Sequence, residues 1–143
     1  MRMIDLIEAI AYHGTATAFT SFAFHKSASH PSKIGVWVTS DPEVARGFSS
    51  MVKRMADDEP RVLKVDIRIQ APMVFEDYAG FLAMFREYGD AAKMRRALMR
   101  KGYDGIEITR STTDGMPERT DYAVFEKYQI EILSAVPSDE VTK

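Results

Sequence analysis

Three segments of this chain hold residues whose types and positions suit chemistry: His13-Gly14-Thr15, Trp37 to Ser40, and Asp121 beside Tyr122. They remain after the common systems are set aside. A Ser-His-Asp hydrolase needs a structurally marked serine, and neither a G-x-S-x-G elbow nor an S-x-x-K pair occurs. The histidines His13, His25 and His30 form no H-x-x-x-H pair for a helix-borne metal, so no metal site is expected. No cysteine is present, which removes thiolate nucleophiles, thiolate zinc sites, iron–sulfur clusters and disulfides together. The glycine-rich phosphate cradles G-x-x-x-x-G-K and G-x-G-x-x-G are also missing. Taken singly, each remaining residue has an ordinary alternative: His13 as a satisfied strand-end histidine, Trp37 as a core aromatic, Asp121 as a loop carboxylate.

The elements that must position these residues are those of a small domain. A length of 143 residues with 45% hydrophobic content is enough for one continuous core, so a single domain over residues 1–137 is expected, with a frayed tail over 138–143. A formal net charge of -2 argues against broad capture of nucleic acid or anionic membrane and requires any such partner to find a local patch. The first residues carry Asp5 and Glu8 within the apolar stretch, and no later run approaches the ~20 apolar residues of a membrane span. The reading is a cytoplasmic chain with no membrane partner.

Ala9 to Tyr12 suits a buried strand stopped by a turn at His13-Gly14-Thr15, a placement common for chemistry. Residues 16–33, with Phe19, Phe22 and Phe24 among small polar residues, read as a long anchored loop. Gly35 to Thr39 is a second strand, and Ser40-Asp41-Pro42-Glu43 then caps a helix over about 42–57 with Val44, Ala45, Phe48, Met51, Val52 and Met55 on one face. Arg61 to Ile69 alternates as a half-buried strand, and Met73 to Phe75 resumes after Pro72. Helical spacing follows from Tyr78 to Gly89, and a second helix covers about 91–101. Its Lys93, Arg95, Arg96, Arg100 and Lys101 read as a solvated face complementing the helix dipole, with nucleic-acid phosphate as the competing partner. Gly105 to Thr109, Asp121 to Phe125 and Gln129 to Val136 close the chain as strands, around a polar loop from Ser111 to Arg119 and a turn at Glu126-Lys127-Tyr128.

The order and context of the three segments resemble the ADP-ribosyltransferase superfamily, in the branch with a histidine, an aromatic and an acid in its three motifs. Tyr12-His13-Gly14-Thr15 resembles the first. Gly35-Val36-Trp37-Val38-Thr39 followed by Ser40 to Ala45 resembles the second, with Trp37 where tyrosine is usual. Asp121-Tyr122-Ala123-Val124-Phe125 with Gln129-Ile130 resembles the third, with Asp121 where glutamate is usual. Lys101-Gly102-Tyr103-Asp104-Gly105-Ile106 resembles a glycine-bounded turn of small phage and bacterial members. The resemblance spans about residues 9–136.

That resemblance implies an α+β fold, a split β-sandwich of two small sheets with flanking helices, and a mono-ADP-ribosyltransferase that uses NAD as substrate without a metal. It implies that His13 and Gly14 hold NAD, that Trp37 and Phe48 stack on nicotinamide, that Thr15 and Thr39 add polar contacts, and that Asp121 is catalytic. Cleavage of the nicotinamide–ribose bond develops positive charge on the ribose, which a carboxylate stabilises where it appears. Aspartate is shorter than glutamate by roughly 1.5 Å, and a misplacement of about 1 Å can cost on the order of a hundredfold in rate. The implied partner is a macromolecular acceptor, a protein before a nucleic acid, in the setting of a phage or bacterial effector. Arg119 stands where arginine-modifying relatives carry a second acid, so arginine is not the expected acceptor. The alternative is a catalytically silent domain of the same fold that binds a protein as an inhibitor or structural component.

Overall fold

The structure is a computed structural model that describes residues 7–15, 34–51, 61–112 and 117–137, with the side chains of 15 and 48–51 outside that description. The expectations placed on the loop 16–33, on helix positions 52–57 and on the tail 138–143 lie outside the described residues.

Strands β1 (Ile7–Thr15), β2 (Val36–Thr39), β3 (Arg61–Ile69), β4 (Pro72–Phe75), β5 (Gly105–Ser111), β6 (Arg119–Val124) and β7 (Ile130–Pro137) form a sheet in the order β4-β5-β6-β2-β1-β3-β7. Helices α1 (Pro42–Met51), α2 (Tyr78–Tyr88) and α3 (Ala91–Arg100) complete an α+β architecture. The strand β3 carries the most regular alternation, and its Leu63, Val65, Ile67 and Ile69 are fully buried. It pairs antiparallel with β1 along nine positions, Ile7 opposite Ile69 through Thr15 opposite Arg61, and with β7 on its other side.

The strands β4 and β5 are parallel, which requires a crossover, and α2 and α3 supply it. Both helices start on an aspartate: Asp77 accepts from the Gly80 amide at 2.8 Å, and Asp90 accepts from the Lys93 amide at 2.9 Å. Helix α2 stops at Gly89, whose φ of 74° is the left-handed cap that glycine tolerates best. Phe81, Phe85, Met94 and Leu98 then pack on Ile106, Ile108, Ala123 and Phe125, forming one core beneath the helices. A second core holds Ala11, Val36, Val38, Val124 and the buried residues of β3. The ladder is narrowest within the span of this second core, since β1 and β2 share the single register pair Tyr12 and Thr39.

Several boundaries differ from the sequence reading. His13-Gly14-Thr15 is no turn: these residues continue β1, because β3 runs on opposite them as Leu63, Val62 and Arg61. Ser111 and Arg119, expected in a polar loop, are the last and first residues of β5 and β6 and face each other across the ladder. Asp121 and His13 therefore sit within strands and not at their ends. The turn expected at Glu126-Lys127-Tyr128 is a short 3₁₀ helix over Lys127–Gln129.

Candidate functional site

The three motif segments meet through β2. On one side Thr39 pairs with Tyr12 of β1, and on the other Thr39 pairs with Asp121 of β6, so a single row across the sheet reads Tyr12, Thr39, Asp121, Ile108. Side chains alternate along a strand, so Trp37 and Thr39 project from the same face as Asp121 and Ala123. That is the face under α2, where Trp37 packs edge-on to Phe81 with ring centroids 5.2 Å apart and planes at 75°.

Asp121 is buried, only 8% exposed, and a buried carboxylate left unpaired would cost several kcal/mol. Two neighbours meet that demand. The Arg119 guanidinium grips it in a fork, Nε to Oδ1 at 3.1 Å and Nη2 to Oδ2 at 3.0 Å. The Ser111 hydroxyl donates to Oδ2 at 2.7 Å. Arg119 and Ser111 are themselves buried. Beside them stands half-buried Tyr78, at the start of α2, whose phenol pKa is raised by burial first and by the Asp121 charge second, with Arg119 opposing. At neutral pH that phenol is a donor. The sequence reading missed Ser111 and Tyr78 as neighbours of the acid. It also missed Arg119 as the acid's partner, although a base and an acid two residues apart on a strand must share a face.

His13 alternates with Tyr12 and so lies on the Ala11 and Leu63 side of β1, opposite the face that carries Trp37, Thr39 and Asp121. Its Nδ1 is 2.7 Å from the Trp37 carbonyl oxygen, which links the first motif to the second across the narrow junction. A carbonyl oxygen only accepts, so Nδ1 carries the proton and Nε2 of the neutral ring is an acceptor. Burial lowers the pKa of His13 from its ordinary 6.5, partly offset by the bond to Trp37. The ring is neutral at pH 7.

The other expected contacts divide. Thr39 is buried, and its hydroxyl accepts from the Asp41 amide at 3.3 Å while Asp41 Oδ1 accepts from Glu43, so this pair starts α1. Ser40 bonds Thr120 twice, backbone amide to carbonyl at 2.9 Å and hydroxyl from amide at 3.1 Å, locking β2 to β6 beside Asp121. Gly14 lies opposite Val62 within β1. The side chains of Thr15 and Phe48 lie outside the described residues.

The remaining family-like residues serve the frame. A Cβ on Gly35 would sit 2.3 Å from the Val124 carbonyl oxygen, and one on Gly105 would sit 2.8 Å from that of Ala123, so neither strand could approach β6 with a larger residue. Asp104 accepts from the amides of Gln70 and Ala71 and pins the β3–β4 corner. Gln129 accepts from the amides of Phe125 and Glu126 and donates to the carbonyls of Arg68 and Asp104. On α3, Lys93, Arg96, Arg100 and Lys101 are exposed, whereas Arg95 is half-buried and donates to the Ile34 carbonyl at 3.1 Å. Burial first, and then the Arg96 charge, lowers the Arg95 pKa.

Among the described residues no group of three or more acids and histidines is placed to hold a metal, and no helix is long and apolar enough to cross a membrane. Neither the curated proteins nor the solved structures contain a match to this chain. A family match exists, to the ADP-ribosyltransferases of polyvalent proteins, and it runs over residues 9–136, from within β1 to within β7. Family domains of this kind use NAD as substrate, and the chain belongs to the ADP-ribosyltransferase superfamily, in the family found in polyvalent proteins.

Proposed function

We propose that this domain is a mono-ADP-ribosyltransferase that takes NAD over the β1–β2 junction, where the sheet is most narrowly paired, and transfers ADP-ribose to a macromolecular acceptor. The observation that carries this reading is the continuous row from Tyr12 through Thr39 to Asp121, which brings all three motif strands side by side. The residues present suit such a substrate. His13 is the residue for a ribose hydroxyl, its ring oriented and its tautomer set by the bond from Nδ1 to the Trp37 carbonyl. The backbone of Gly14 is the contact for the carboxamide, the Trp37 indole is the aromatic wall, and Thr15, Thr39 and Phe48 complete the set. Asp121 stabilises positive charge on the ribose as the nicotinamide nitrogen leaves with the bonding electrons. The acceptor's nucleophile then forms the new bond to the ribose carbon and gives up its proton. An arginine acceptor is disfavoured, since the Arg119 cation stands two residues before Asp121.

One observation favours a second reading, a catalytically silent protein-binding domain: both oxygens of Asp121 are already engaged by Arg119. The two separate in one experiment. Purified protein is incubated with labelled NAD and a bacterial lysate, wild type beside Asp121→Ala and His13→Ala, and label transfer and nicotinamide release are followed. Transfer by the wild type that disappears in both variants supports the enzyme, and mass spectrometry of labelled peptides then identifies the acceptor residue. A wild type that releases no nicotinamide and binds no NAD by calorimetry leaves the silent domain as the better account.

A further inference from the structure

We infer that Ser111 and Arg119 are positioning residues that set the direction of the Asp121 carboxylate, and that this pair is what lets an aspartate serve where a longer acid is usual. The inference rests on the transferase reading above. Asp121 has two rotatable side-chain bonds and no reach to spare, so its usefulness depends on where its oxygens point. Three bonds set that direction. The Arg119 fork fixes the carboxylate plane, because two parallel N–H bonds leave no rotation about the Cβ–Cγ bond. The Ser111 bond, the shortest of the three at 2.7 Å, selects which edge of Oδ2 is occupied from the β5 side. Together they take up three of the roughly four lone-pair directions of the carboxylate, and a remaining direction is the one a ribose hydroxyl can address.

The backbone supports this arrangement. The register of β5 against β6 shifts between Ile108 and Ser111, and only after that irregularity does Ser111 come opposite Arg119. A regular continuation of the pairing from Ile108 opposite Asp121 would carry Ser111 past the acid's neighbour and out of line with it. The irregularity re-aims one hydroxyl at one carboxylate. All three side chains are nearly excluded from solvent, so water does not substitute for a lost bond at no cost.

The test compares nicotinamide release from NAD by wild type, Ser111→Ala, Arg119→Lys, Arg119→Gln, Asp121→Ala and the double variant Ser111→Ala with Asp121→Ala. Circular dichroism and thermal midpoints screen for folding; Arg119→Lys keeps the charge if Arg119→Gln fails to fold. Ser111→Ala is expected to lower kcat on the order of ten- to a hundredfold with the KM for NAD little changed, since it acts on the transition state and not on binding. Arg119→Lys should retain part of the rate that Arg119→Gln loses, because lysine restores the charge without the fork. Adding Ser111→Ala to Asp121→Ala should cost nothing further, as a residue acting only through Asp121 requires. If Asp121→Ala is inactive while Ser111→Ala and Arg119→Lys keep wild-type kcat, the positioning role is overturned and the transferase reading stands. A wild type without NAD turnover overturns both.

Discussion

A histidine whose Nδ1 lies 2.7 Å from a backbone carbonyl oxygen has its neutral tautomer chosen for it, and at His13 the consequence can be measured. The acceptor at Nε2 survives only while the ring is neutral, and burial places the pKa below 6.5. NAD affinity should therefore stay level as pH falls from about 8 to about 6.5 and weaken only below that, as the ring protonates and Nε2 becomes a donor. The same shift acts on stability with a definite sign. Below pH 6.5 the unfolded chain takes up a proton that the folded His13 resists, so this residue's contribution is complete above 6.5 and is lost as pH falls toward the lowered folded value. In His13→Gln the affinity is lower and this acid limb is gone. Calorimetric titrations across that range decide it, and an affinity that already drops between pH 8 and 7 would show the tautomer argument to be wrong. At this scale the sequence singled out His13, Trp37 and Asp121 as candidates, because their types are rare and their neighbours distinctive. It concealed Ser111, whose value arises from a partner across the ladder that no local pattern announces, whereas the spacing of Arg119 and Asp121, two residues apart on one strand, held the signal for their pairing.

Elements with strong periodicity were legible and those defined by polar burial were not. The alternation in β3 and the three- and four-residue spacing in α2 express burial of apolar side chains, and both elements fall within a residue of their expected ends. The strands β5 and β6 ran further than expected because Ser111 and Arg119 are buried by pairing, which a hydrophobic pattern counts as solvent. The strand order was not legible at all, being set by contacts between β2 and partners about 25 and 85 positions away in the chain. Gln129 shows how much one polar residue holds at this scale. Its side chain binds two amides at the end of β6 and two carbonyls, from β3 and from the turn before β5, so four groups depend on it. Replacing it with alanine leaves buried donors and acceptors without partners at roughly 1–3 kcal/mol for each that water cannot reach. Gln129→Ala is predicted to lose about 3 kcal/mol or more in urea unfolding, while the exposed neighbour Tyr128→Ala should stay within about 0.5 kcal/mol of wild type. Equal losses in the two variants would mean that the glutamine's bonds contribute nothing beyond the turn itself.

In the whole molecule the ladder is narrowest between β1 and β2, where a single register pair and the bond from His13 to the Trp37 carbonyl join the strands and the second core packs across them. Among the described residues strand pairing is sparsest there, so a ligand gripped by residues from both strands adds cross-links where the ladder has fewest. The proposed site has this property, with His13 and Gly14 on β1 and Trp37 and Asp121 on β2 and β6. Binding to the folded state alone stabilises it by about 2.7 kcal/mol at a ligand concentration a hundred times Kd, which for a chain of this size raises the thermal midpoint on the order of 10 °C. NAD is therefore predicted to raise the midpoint of the wild type and of Asp121→Ala alike, since the carboxylate acts on the reacting ribose more than on the bound substrate. His13→Ala and Trp37→Ala should lose most of the rise. Nicotinamide alone, which lacks the ribose and adenosine contacts, should produce a much smaller one. Because the shift needs no turnover, it separates binding from chemistry: a wild type that is stabilised by NAD yet releases no nicotinamide is a domain that has kept the site and lost the reaction, whereas an unchanged midpoint removes NAD from the β1–β2 junction altogether.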